Sequence, residues 1–179
     1  MAHGNLHRTR GGAATGGGSG GLRGLKETAG RYALLPLRVF LGVTFVYAGF
    51  DKLTGGTTTL KASGSGSIGE LMHSVRDSSA IPALVDLALK SPAGFGYAIA
   101  IGEIAAGIGI LVGLFGRLAA TGGALISLSL WLTVSWATTP YYYGNDLAYL
   151  MAWLPLVLAG TPLLSADAWL ASRRRLRTP

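Results

Sequence analysis

Arg38, Lys52 and Glu103 are ionisable residues set inside long apolar stretches of the chain. In hydrocarbon surroundings each costs about 2.5–3.5 kcal/mol on insertion scales, so it needs a partner or a task. On a helix turning about 100° per residue, Arg38, Gly42, Phe45, Gly49 and Lys52 fall within a band roughly 80° wide. Two glycines between two cations let another helix approach closely, and small residues mark contact faces between membrane helices. A later stretch answers with Gly102, Ala105, Ala106, Gly109 and Gly113, and Glu103 borders that face. Gly42, Gly49, Gly109 and Gly113 are the candidate helix-packing glycines. At about 1.5 Å per residue, Glu103 lies axially between Arg38 and Lys52, each roughly 10 Å away. A Glu103–Arg38 or Glu103–Lys52 pair is expected, because a buried charge without a partner is costly. Such a pair can hold a ligand, move a proton or simply set helix register.

Four stretches must position these groups: Leu34–Leu53, Ala93–Phe115, Leu118–Ala137 and Leu147–Leu164. A helix crosses the hydrocarbon core of a bilayer with roughly 20 residues, which each stretch approaches. Half of the 179 residues are hydrophobic and 13% are charged, well under the approximately 25% of soluble domains. The expected fold is all-α, an integral membrane four-helix bundle. Arg8, Arg10, Arg23, Lys26 and Arg31 precede the first stretch, and Arg173, Arg174, Arg175 and Arg177 follow the last. Arg117 lies in the short turn between the second and third stretches. By the positive-inside rule both termini are cytoplasmic, in a multi-pass protein of the cell membrane. The net charge of +7 then serves topology and anionic lipid, and no nucleic-acid partner is expected.

Residues 1–33 read as a flexible, glycine-rich basic segment, 34–164 as the membrane domain and 165–179 as a basic cytoplasmic tail. The long outer loop runs from Thr54 to Pro92. Within it Ile68, Leu71, Met72 and Val75 recur at i, i+3, i+4 and i+7, one apolar helix face. The run after Pro82 predicts a second short helix, and both are expected to lie across the bundle's outer mouth as interfacial segments. Asn145 or Asp146 is placed to cap the fourth long helix. Trp136 and the tyrosines 141–143 form an outer aromatic belt, with Trp169 at the inner end. Trp136, Tyr143 and Asp146 thereby become candidates for the mouth of a site. Pro155 is expected to kink the last helix. The hydroxyls of Ser127, Ser129, Thr133 and Ser135 are expected to bond to backbone.

The chain has no cysteine, and His3, His7 and His73 all lie outside the four stretches. Thiol redox chemistry, Cys-held clusters, and bundle haem or metal bound through Cys or His are therefore not expected. Any electrons must travel on a diffusible or partner-held carrier.

The blocks Leu37-Arg38-Val39-Phe40-Leu41-Gly42 and Tyr47-Ala48-Gly49-Phe50-Asp51-Lys52-Leu53 resemble the DoxX family. So do Gly102-Glu103, the run Gly113-Leu114-Phe115-Gly116-Arg117, and Trp136 followed by Pro140-Tyr141-Tyr142-Tyr143-Gly144-Asn145-Asp146. The last block is similar to the DoxD-like branch, small membrane subunits of thiosulfate:quinone oxidoreductase. The resemblance implies a four-helix membrane fold over about residues 34–164, a protein partner subunit and a quinone acceptor. A quinone needs an apolar slot with a few polar groups, which Arg38, Glu103, Lys52 and Tyr143 can offer. The alternatives are a non-enzymatic membrane scaffold of a respiratory or stress-defence assembly, and a small transporter using Glu103.

Overall fold

The computed structural model describes residues 32–160, apart from 57 and 114. Nearly all of the N-terminal segment, the basic tail with Trp169, and the stretch from Thr161 to Leu164 lie outside the described residues. The chain divides into two units, Met1–Ala33 and Leu34–Pro179, and every element below belongs to the second.

The described residues form helices and no strand. They are α1 (Leu35–Thr54), α2 (Ile68–Val75), α3 (Pro82–Leu89), α4 (Pro92–Val112), α5 (Gly116–Thr133) and α6 (Asn145–Ala159). Proline stands in the first turn of α1, α3 and α4, where its missing N–H is no loss. Glycines in the left-handed region, Gly55 and Gly113, end α1 and α4. α6 continues through Pro155. α1 packs on α4, α4 on α5, α5 on α6, and α6 returns to α1. Among the described residues, α4 alone is long and apolar enough by itself to cross a membrane. α1 carries Arg38, Asp51 and Lys52, and α6 spans 15 residues.

The α1–α4 seam is antiparallel and close. A Cβ at Gly107 would lie 2.7 Å from the Gly42 carbonyl oxygen, and one at Gly49 would lie 2.5 Å from that of Ala100. The buried face of α4 is therefore Gly96, Ala100, Glu103, Ala106, Gly107 and Ile110. Of the expected face of Gly102, Ala105, Ala106 and Gly109, Ala106 is buried, Gly102 and Gly109 are half-buried and Ala105 is exposed. Gly113 serves the turn, with φ 69°. α6 is fastened by aromatic rings, with Phe45 edge-on to Trp153 at 4.9 Å and to Tyr149 at 5.9 Å. Gly123 clears the space under Trp153, since a Cβ there would lie 2.3 Å from the indole.

Outer faces are apolar while charge is inside. Val39, Phe40 and Val43 on α1, Ile101 and Ile108 on α4, and Leu154 and Leu158 on α6 are exposed. Arg38 and Glu103 are 5% and 3% exposed.

The two short helices form a roof with its own small core of Met72, Val85 and Ala88. Ser67 caps α2 by accepting the Glu70 N–H, while Glu70 accepts the Gly66 N–H. That is a capping-box spacing, Ser67-Ile68-Gly69-Glu70. The Ala80 N–H donates to the Leu132 carbonyl at 2.8 Å, tying the roof to α5. Arg76 forks onto both Asp86 oxygens and clamps α2 to α3. Its hydrogen bonds hold the Asp86 carboxyl below the ordinary value of 3.8. A lowered folded value means the clamp is complete above that ordinary value and is lost as pH falls through the folded one. Protection of the α2 and α3 amides, taken relative to the intrinsic exchange rate at each pH, should therefore fall in acid, and part of that fall should vanish in Asp86→Asn. An identical acid response in the variant would assign the loosening to other groups.

Candidate functional site

Lys52 stands in the last turn of α1, where a cation also meets the negative end of the helix dipole. Glu103 stands midway along α4. The Lys52 ammonium lies 2.9 Å and 2.8 Å from the two Glu103 oxygens. Sequence spacing allowed either cation as the partner, and helix geometry accounts for the choice. Side chains lean toward the N-terminus of their own helix. Because α1 and α4 run in opposite senses, Lys52 and Glu103 lean toward one another, whereas Arg38 leans away from Glu103.

Arg38 instead closes the far end of α4. Its Nε donates to the Ile110 carbonyl and its Nη2 to that of Leu111 at 2.7 Å. The last carbonyls of a helix lack intrahelical partners, and a buried helix end needs donors from elsewhere. Arg38→Lys should cost about 1 kcal/mol and Arg38→Met about 2 kcal/mol, because an ammonium cannot reproduce the planar fork. Thermal unfolding in detergent measures this, and equal loss from both substitutions would argue against the fork.

A cavity of about 490 Å³ opens above the ion pair. Leu60, Ile68, Met72, Leu84 and Val85 of the roof supply apolar wall, and Phe95, Gly96 and Ile99 of α4 continue it. Gly96 lets the roof sit down, since a Cβ there would lie 2.7 Å from both Leu60 and Ile68. The polar lining is Lys52 with Asp51, Asp146 and several hydroxyls. Glu103 is not part of the lining, so the pair turns its cation toward the cavity.

Asp146 comes from the first turn of α6. It does not cap that helix, whose N-terminus has no side-chain cap. The Ser135 hydroxyl donates to it instead, across the α5–α6 connection. Of the three candidate mouth residues, Asp146 alone lines the cavity. Trp136 packs on Trp131 at 5.3 Å, and Tyr143 stacks edge-on to Tyr142, both well exposed. Ser129 and Thr133 donate to backbone carbonyls of α5, whereas the buried Ser127 hydroxyl has no partner. Sequence reasoning missed Tyr149 and the roof residues as cavity lining. The apolar face of α2 signalled a helix across the outer mouth, but nothing in its spacing showed that it would wall a cavity.

Helices with apolar outer faces, an internal ion pair and a roofed amphipathic cavity define a helical, membrane-like protein. The chain belongs to the DoxX family, whose domain matches residues 33–136. The family is membrane-associated. The match takes in Arg38, Lys52 and Glu103 and ends before α6. No curated protein and no solved structure matches the chain.

Proposed function

We propose that this DoxX-family protein is a multi-pass subunit of a membrane redox assembly and holds a quinone in the roofed cavity. The observation that carries the reading is the cavity itself, apolar on most sides with the Lys52 ammonium at its polar end. A quinone ring needs an apolar slot, and its carbonyl needs a donor. The basic flanks and the exposed apolar faces support a reading of four crossings with both termini cytoplasmic. The setting this reading draws on is the DoxD-like one that the residues Pro140 to Asp146 resemble, in which a partner subunit oxidises thiosulfate and the quinone accepts the electrons.

The test is purification from the native membrane, with extraction of bound quinone and identification of co-purifying chains. Quinone should be retained by the wild type and lost in Lys52→Met, in a sample that remains folded. Stable partner chains without quinone would favour a scaffold instead.

A further inference from the structure

We infer that the cavity selects a ligand whose polar end donates hydrogen bonds, and so binds a quinol more tightly than the quinone of the same skeleton. The inference rests on the proposed occupancy of the cavity by this class of ring. It follows from counting which groups facing the cavity can give a proton and which can only receive one.

The fixed acceptors outnumber the fixed donors. Asp146 lines the cavity and has already accepted the Ser135 hydroxyl, and Asp51, which has an interaction of its own, adds further carboxyl oxygens to the lining. Ser129 and Thr133 spend their hydroxyl protons on the carbonyls of Ile126 and Ser129, at 2.8 Å and 2.7 Å. They therefore present only oxygen lone pairs to the cavity. Among the described side chains that line the cavity the fixed donor is Lys52, and its ammonium is directed at both oxygens of Glu103. With three N–H groups in all, it has one left for a ligand. The hydroxyls of Thr44, Thr58, Tyr47 and Tyr149 can act either way and do not tip the balance.

A quinone offers two carbonyl acceptors. One can take the remaining Lys52 proton, but the other adds an acceptor to a lining of acceptors. A quinol offers two hydroxyls that can donate to this lining, Asp146 foremost, and the oxygen of one of them can accept the remaining Lys52 proton. A cationic ligand would satisfy the carboxylates but meet the Lys52 charge. A neutral, hydroxyl-bearing aromatic ring fits both, and the apolar roof accepts its body.

The test compares three probes on the detergent-purified protein: a decyl-tailed benzoquinol, its oxidised quinone, and the quinol with both hydroxyls methylated. The quinol should bind about tenfold or more tightly than the quinone, as expected for a hydrogen bond to a charged acceptor. The methylated compound keeps the ring and tail, gains apolar area from its two methyl groups and has no donor, so it should bind no better than the quinone. A tenfold preference also raises the potential of the bound two-electron couple by about 30 mV. Asp146→Asn should reduce the preference, and the methylated probe tests the same point without any substitution. Equal binding of quinol and quinone would overturn the selectivity and leave the proposed occupancy standing. Failure of all three to bind would overturn the occupancy itself.

Discussion

Lys52→Met should destabilise the folded protein by about 3–5 kcal/mol, the range for leaving one member of a buried ion pair without its partner. Glu103 is 3% exposed and its two oxygens face the Lys52 ammonium, so removing the lysine strands a carboxylate among helices. The reverse substitution should hurt less. Lys52 keeps 28% of its side chain exposed, toward the cavity, and its ammonium can be solvated there after Glu103→Gln. A loss of about 1 kcal/mol is expected, that of an ordinary hydrogen bond. The double variant Lys52→Met/Glu103→Gln should recover most of the stability, because neither buried charge remains. Chemical unfolding in micelles, arranged as a double-mutant cycle, reads the coupling directly. Wild-type stability in Lys52→Met would mean that the pair carries no weight in the fold.

The asymmetry of that cycle shows what the sequence could and could not reveal. Burial of Arg38 and Glu103 was legible, because ionisable groups in apolar stretches have few alternatives. The stripe of Arg38, Gly42, Phe45 and Gly49 on α1 was legible too, and all four are buried. The rotation of α4 was not. That helix is apolar nearly all round, with small residues on more than one side, so periodicity leaves its facing open. Gly107 rather than Gly102 meets α1, and this turns Glu103 from the border of the contact face into its middle. The partner of Glu103 depends on antiparallel lean, a tertiary property. Asp146 shows the same limit. Its position near a helix start suggested a cap, yet Ser135 from the preceding segment takes it. The roof helices were visible as an amphipathic spacing, but their placement over Gly96 comes from contacts distant in sequence.

The glycines of the α1–α4 seam should be the other sensitive positions. At Gly49 a Cβ would fall 2.5 Å from the Ala100 carbonyl oxygen, and at Gly107 it would fall 2.7 Å from that of Gly42 and 2.9 Å from the Val46 nitrogen. These obstacles are backbone atoms, so no side-chain rotation relieves them and the helices must part. Gly49→Ala and Gly107→Ala should each cost about 2–3 kcal/mol, in the range of overpacked cores. Gly42→Ala should be milder than Gly107→Ala, because its nearest obstacle is the Leu111 side chain rather than backbone. Gly122 is the control. A Cβ there meets nothing within 4 Å, and within α5 alanine should stabilise the helix by about 0.5–1 kcal/mol. Parting the seam also pulls Lys52 from Glu103, since the pair bridges the same two helices. Gly107→Ala should therefore weaken the Lys52–Glu103 coupling as well as the fold, whereas Gly122→Ala leaves it intact. Thermal unfolding of the variants, with the charge cycle repeated in the Gly107→Ala background, measures both effects. Undiminished coupling in that background would show that the ion pair forms independently of the glycine contact.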